Sequence, residues 1–443
     1  MIDHHHHGER HPTQCSNIKF AAAYLKELLW YLGTPLVWGW QLVRLLMFVL
    51  VLLPFFLPPT FRYVVSRHVH KAVRYGPSVR HAVDIYVPEA IGVPPSATAV
   101  RGAPVIVFVS GGAWIIGYRM WGFLMGLALQ RRGILCVSVD YRNFPQSRIP
   151  EMVDDVACAC AWVHEHIGSY GGDPANVSLV GQSAGAHVSA LLLLRLVGVV
   201  EWQHAPLSGG NTTKGSAADG GAAADTTAGG PHATVGKQCM RPVRWVGISG
   251  PYDLVKLVPA LRQRGLHPGL MTSLACGDLT ACSPTTLLAK ARGGSPPLTR
   301  AGESTPPAGV VPPGSSSHSA VPPPPAWPPI ALFHGTADRT VDWHHSVDFA
   351  SALRAAGAPE VVEEYFADKS HTDPILEDPL LSGADPLLDA MVALVLGPSA
   401  SAASLAGLAG SGRPTPMLLR PVLAMSAVFL RALHRVAKSV NPF

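Results

Sequence analysis

A serine hydroxyl is a useful nucleophile near neutral pH only when a base removes its proton and a third group holds that base in the right tautomer. Ser183 stands in Gly181-Gln182-Ser183-Ala184-Gly185, directly after the apolar run Val177 to Val180 and at the start of a helical stretch ending near Val197. There the small flanking residues permit a tight strand-to-helix turn that lifts the hydroxyl clear of the backbone. The pentapeptide alone says little in a chain with 43 glycines. The strand before it and the helix after it are what give it weight. Two partners follow in the chain order expected of such a turn: Asp338, in His334-Gly335-Thr336-Ala337-Asp338, and His371, in Lys369-Ser370-His371-Thr372-Asp373. Ser183 is therefore the candidate nucleophile, His371 the base and Asp338 the orienting acid. Asp342 is an alternative acid, and Asp338 could instead cap the next helix. His187, four residues past Ser183 on the same helix, points away from the turn.

The tetrahedral oxyanion that such a serine creates needs backbone N–H groups aimed at it. Ser110-Gly111-Gly112-Ala113-Trp114 follows the apolar run Val105 to Val109, so the amides of Gly111 and Gly112, with that of Ala184, are the candidates. This loop departs from the His-Gly-Gly-Gly form of lipases and esterases, and the sequence leaves open which amide donates. Trp114, Ile115, Ile116, Trp121 and Phe123 come next and are candidates for walling an apolar substrate site, or for ordinary core. No cofactor is needed for this chemistry, and no metal is expected. The seven cysteines lack ligand spacing, and the run His4 to His7 lies in a polar tail.

These groups need a scaffold that brings strand ends together. Val105 to Val109, Ile134 to Val139, Val177 to Val180, Arg244 to Ile248 and Ile330 to Phe333 are short and apolar, as strands buried on both faces should be, and Val361 to Phe366 reads as the last strand. An alternating stretch from His81 to Val87, after the Gly76-Pro77 turn, reads as part of an antiparallel hairpin. Helical stretches, notably Met152 to His166 and Ala184 to Val197, lie between the strands. The alternation predicts an α/β fold with a mostly parallel central sheet and helices on both faces. Catalytic residues belong at the carboxyl ends of such strands.

Charged residues make up only 14% of the 443 residues and hydrophobic ones 48%. Part of that imbalance is the stretch Leu28 to Leu57, whose only charge is Arg44, long enough to cross a bilayer core of about 20 residues. It reads as a transmembrane or interfacial segment over 28–62, with a buried core helix as the alternative; Arg44 and Pro54 are costs for a spanning helix. The basic residues Arg62, Arg67, Lys71 and Arg74 that follow it weakly favour a cytosolic catalytic side. Every strand of the catalytic unit lies downstream, so a chain beginning near Tyr63 is expected to keep the machinery. The rest of the imbalance comes from segments rich in Gly, Ala, Ser and Pro. The expected organisation is a disordered tail over 1–27, the membrane segment, one catalytic domain over 63–397 with disordered insertions at 207–236 and 283–325, a linker over 398–416, and an apolar, basic amphipathic segment over 417–443. The net charge of +5 is modest and the basic residues are dispersed except near the two ends, which argues against a nucleic-acid footprint and makes membrane surface the better partner for those ends.

Several long motifs together carry a family resemblance. Gly111–Tyr118, Asp140–Gln146, Ser169–Pro174, Gly181–His187 and His334–Asp338 resemble the isoprenylcysteine methylesterases, over roughly Val64 to Asp378 and interrupted by the two insertions. The resemblance implies the α/β-hydrolase fold and removal of the methyl ester from prenylated cysteine, free or on prenylated proteins. It also implies residence in membranes of the endoplasmic reticulum and Golgi. Two rivals remain at this point. One is another carboxylesterase or amidase of the same fold; the other is a non-catalytic binding protein such as the gibberellin receptors, against which His371 argues.

Overall fold

In a computed structural model, residues 26, 30, 35–88, 102–200, 240–267, 269–293, 327–381, 385–397 and 435–437 are described. After the long helix α1 (Pro35–Val65), the strands β1 (Val69–Arg74) and β2 (Ala82–Tyr86) pair antiparallel, so the expected hairpin has its first strand before the Gly76-Pro77 turn. The remaining strands are β3 (Ala103–Val109), β4 (Leu135–Val139), β5 (Gly172–Gln182), β6 (Arg244–Ile248), β7 (Ile330–Gly335) and β8 (Val361–Phe366). They form one eight-stranded sheet in the order β1-β2-β4-β3-β5-β6-β7-β8, parallel from β4 to β8. Residues 105–109 of β3 and all of β4 are buried, because helices cover both faces and leave no solvent side for an alternating pattern.

The covering helices follow from local sequence. α2 (Phe123–Arg131) lies on one face. On the other, α3 (Ile149–His166) starts where Pro150 occupies the first turn and Glu151 accepts the Arg148 N–H at 3.0 Å. α4 (Ala184–Leu196) is Ala- and Leu-rich on every side and is buried accordingly from Ala184 to Leu194. α5 (Leu254–Gln263) is capped by Asp253, whose carboxylate accepts the amides of Val255 and Lys256. α6 (Gly269–Leu274) and α7 (Pro284–Gly293) follow. α7 corrects the expected start of the second insertion. Its Leu288 is fully buried, the Ser283 hydroxyl just before it accepts the amide of Leu254 at 2.9 Å, and the Thr285 amide donates to the Tyr252 carbonyl at 3.0 Å, so residues 283–293 are anchored despite their bland composition. The rest of that segment, all of 207–236, and nearly all of 398–443 lie outside the described residues. α8 (His344–Ala355) packs beside β7 and β8, and α9 (Asp378–Leu381) and α10 (Pro386–Leu396) close the described chain near α2.

Two cores result, one on each face of the sheet. The second contains Phe48, Leu52, Phe55 and Tyr63 of α1 together with Phe123, Leu124 and Leu127 of α2. With Pro59 these residues fall at intervals of four, three, four and four, a single stripe along one helix face. α1 therefore packs one stripe against the domain, while every described strand lies downstream of Tyr63, as expected. The rest of the helix is also apolar, and Leu42, Leu46, Met47, Leu50, Leu53, Leu57 and Phe61 are exposed. Within Leu42–Val65 an 18-residue window has a mean hydropathy of 2.2, and this helix is long and apolar enough to cross a membrane.

Candidate active site

Four strands deliver the site. Ser110 to Gly112 leave the carboxyl end of β3, Ser183 that of β5, Asp338 lies just past β7, and His371 follows β8. Ser183 occupies φ 54°, ψ −123°, a conformation that side-chain-bearing residues rarely adopt, between β5 and α4. The residues two positions to either side must be glycine. A Cβ on Gly185 would overlap the Val109 carbonyl oxygen, and one on Gly181 would overlap the Ser189 hydroxyl. The sharp turn is thus possible only because β3, β5 and α4 approach at backbone contact.

At that turn the Ser183 Oγ lies 2.9 Å from His371 Nε2, and His371 Nδ1 lies 2.6 Å from Asp338 Oδ2. Asp338 is 8% exposed. Burial alone would raise its pKa, but the adjacent His371 and the hydrogen bonds from His334 and His371 hold the carboxyl well below the usual carboxylate range. An ionised carboxylate only accepts, so Nδ1 of His371 carries the hydrogen and Nε2 is left to accept the Ser183 proton. Asp338 Oδ1 also accepts the amides of Thr340 at 2.8 Å and Val341 at 2.9 Å. Asp342, the alternative acid, is elsewhere occupied: its Oδ1 accepts the His344 amide at 2.9 Å, and its side chain is 67% exposed.

Sequence reasoning assigned no role to His334. Its Nε2–H is shared between Asp338 Oδ2 at 3.1 Å and the Val341 carbonyl at 3.0 Å, while its Nδ1 accepts from Ser346 Oγ at 2.8 Å. It binds the same carboxylate oxygen as His371, so Oδ2 is held by two imidazoles while Oδ1 is held by the loop amides. The signal available was its position four residues before Asp338, too weak to interpret without the loop geometry. His187 is buried and lies beneath the turn; its Nε2–H donates to the Cys282 carbonyl at 2.7 Å, and its Nδ1 accepts the indole N–H of Trp114 at 3.2 Å. Burial lowers its pKa to about 4, so the ring is neutral and holds Trp114 as a hydrogen-bond acceptor.

The Gly111–Gly112 loop lies directly against Ser183, because a Cβ on Gly111 would meet the Ser183 Cβ at 2.7 Å. Gly112 (φ 125°), Ala113 (φ 50°) and Trp114 (φ 62°) are consecutive left-handed residues, and the Gly112 carbonyl accepts the amides of Ile115 and Ile116, both at 2.9 Å. The loop is a tight coil beside Ser183, with the first amide of α4, that of Ala184, following the nucleophile. The five candidate wall residues separate. Trp114 and Phe123 are buried, Trp114 against His187 and Phe123 against Phe56 and Tyr63 of α1. Ile115 is partly buried, whereas Ile116 and Trp121 are exposed, joined by the Trp121 indole N–H to the Ile116 carbonyl at 2.8 Å.

This geometry suits transfer of the Ser183 proton to His371 as the hydroxyl attacks a carbonyl carbon beside the glycine loop. Known proteins agree with that chemistry. A protein-family profile described as BD-FAE matches residues 83–198, from β2 through the end of α4. The crystal structure of esterase B from Lactobacillus Rhamnosis matches with a TM-score of 0.50 at 14% identity, covering 84% of this chain and 98% of that one, which speaks to the fold alone. The isoprenylcysteine alpha-carbonyl methylesterase ICME of Arabidopsis thaliana is 32% identical over 83% of this chain and 72% of its own length. The probable isoprenylcysteine alpha-carbonyl methylesterase ICME of Oryza sativa subsp. japonica is 33% identical over 88% of this chain and 80% of its own. The chain is a carboxylic ester hydrolase of the α/β-hydrolase fold, and it belongs to the isoprenylcysteine alpha-carbonyl methylesterase family.

Proposed function

We propose that the protein hydrolyses the methyl ester of S-prenylcysteine, with Ser183 as nucleophile, His371 as general base and Asp338 as the group that fixes the imidazole tautomer. The observation that carries the mechanism is the unbroken chain of short contacts, 2.9 Å from Ser183 to His371 and 2.6 Å from His371 to Asp338. His371 accepts the serine proton as the ester carbonyl is attacked, and returns it to the departing methoxide, which leaves as methanol. Water, deprotonated by the same imidazole, then cleaves the acyl-enzyme. The amides of the Gly111–Gly112 loop and of Ala184 receive the oxyanion in both steps.

A prenyl chain partitions into lipid, and the apolar outer face of α1 supports a site that works at a membrane surface. Ile116 and Trp121, exposed beside the glycine loop, would receive the chain, while Trp114 and Phe123 are packed away into the two separate cores. The basic residues Arg62, Arg67, Lys71 and Arg74 after the apolar run support a catalytic side facing the cytosol. The family resemblance supports endoplasmic reticulum and Golgi membranes as its location.

The test is methanol release from N-acetyl-S-farnesylcysteine methyl ester in vesicles, compared with hydrolysis of p-nitrophenyl butyrate. A kcat/KM for the prenyl ester at least tenfold above that for an S-methylcysteine methyl ester is expected. Equal rates on the two cysteine esters would make the protein a general carboxylesterase.

A further inference from the structure

Asp84 projects from the middle of β2 into the interior, where an unpaired carboxylate would be costly, and it is fully buried. Three donors converge on it. Tyr63 of α1 donates its hydroxyl to Oδ2 at 2.7 Å, while the Ala72 amide at 2.7 Å and Arg119 Nε at 2.9 Å donate to Oδ1. Arg119 continues the chain, its Nη1 lying 3.2 Å from Oδ2 of Asp140, a carboxylate 1% exposed at the end of β4. Asp140 Oδ1 in turn meets Arg80 Nη2 at 2.8 Å.

The far end of this chain holds the glycine loop. Arg80 Nη2 donates to the Gly117 carbonyl, which also accepts from Asn143 Nδ2 at 2.8 Å. Both guanidiniums approach the Tyr118 ring, Arg80 at 5.5 Å and Arg119 at 4.6 Å from its centroid. Gly117 touches the oxyanion loop itself, since a Cβ on Gly112 would overlap the Gly117 amide nitrogen. A buried network of two acids and two arginines contributes little net stability compared with apolar packing of the same volume, whereas it fixes geometry strictly.

We propose that Asp84 and Arg119 are positioning residues for the oxyanion loop, and that the Tyr63 hydroxyl links them to α1, so that the seating of the apolar helix is felt at the Gly111–Gly112 amides. This rests on reading those amides as the oxyanion donors. Tyr63 is the informative position because it removes one oxygen and leaves the ring that packs on Phe123, at 6.1 Å between centroids.

The experiment uses the full chain in detergent. For Tyr63→Phe, kcat on p-nitrophenyl butyrate falls about three- to tenfold with KM within twofold, and the inhibition constant of a trifluoromethyl ketone, which forms a tetrahedral adduct, rises by the same factor. Arg119→Lys keeps the charge but loses the fork that joins two carboxylates, and lowers kcat further, by about ten- to a hundredfold. Val395→Ala, in the same core but on α10 and outside the network, lowers Tm while leaving kcat unchanged at 25 °C. If Tyr63→Phe and Arg119→Lys lower Tm but leave kcat and ketone affinity unchanged, the network is purely structural and the proposal is wrong; should Arg119→Lys fail to fold, Tyr63→Phe decides alone. A Ser183→Ala protein that still cleaves the ester would overturn the underlying reading of the site, independently of the network.

Discussion

At the scale of residues, the proposed mechanism depends on one proton path and on what holds it. Ser183→Ala and His371→Ala should each lower kcat by about four to six orders of magnitude, and the double variant should lose little more, because the two act as a unit. Asp338→Asn should cost about four orders by favouring the wrong imidazole tautomer, while Asp342→Asn should stay near wild type, as befits an exposed carboxylate bound to His344. Single-turnover measurements on each variant check both statements; full activity in Asp338→Asn would transfer the acid's role elsewhere. Ser183, Asp338 and His371 were legible because chain order and strand context constrain them. His334 and the Trp114–His187 pair were not, because a histidine that accepts one hydrogen bond and donates another inside a fold leaves no periodic or spacing signal. Ile116 and Trp121 shared one apolar string with Trp114 and Phe123, and only the turn geometry separates the exposed pair from the buried one.

At the scale of elements, α1 has two apolar faces, one packed on the domain and one exposed, which the sequence could not tell apart. An apolar run reads the same whether its partner is lipid or protein, and here it has a protein partner along one stripe. Removing residues 1–62 deletes Phe48, Leu52 and Phe55 from the second core, each contributing about 1.5–3 kcal/mol, against a total stability of about 5–15 kcal/mol. The shortened chain should therefore melt at least about 10 °C lower, or collect in the insoluble fraction, even when supplied with detergent. Unchanged melting would mean that α1 contributes nothing to the core. Short parallel strands, by contrast, were recognisable because runs bounded by turn residues leave few alternative registers: Arg244 to Ile248 matches the buried β6 and Val361 to Phe366 the half-exposed edge strand β8, whereas β5 begins at Gly172, before the expected Val177. The antiparallel partner β1 escaped because its residues are mostly exposed and carry no alternation.

At the scale of the whole molecule, the chemistry and the stability respond to pH through different groups. Glu377 lies on the π-helical turn Asp373–Glu377, just past His371, and accepts the Thr372 hydroxyl at 3.0 Å. Burial, reinforced by the neighbouring Asp373, pushes its pKa up to about 8. The folded protein therefore holds a proton there that the unfolded chain releases above about pH 4.3, and the associated stability is complete below that value and lost as pH rises toward 8. Glu377→Gln, a permanent mimic of the protonated acid, should have little effect on Tm at pH 4 and raise it progressively, by several degrees, between pH 5 and 8.5. A difference that stays constant with pH would show that Glu377 is already ionised in the folded state. The nucleophile has a less obvious global consequence. A side-chain-bearing residue at φ 54° costs about 1–3 kcal/mol, and glycine at the same place avoids most of that cost. Ser183→Gly should thus yield an inert protein that melts higher than the working enzyme. A library sorted by heat resistance would enrich the dead sequence, so improving this hydrolase by directed evolution requires turnover, and never thermal survival alone, as the trait selected.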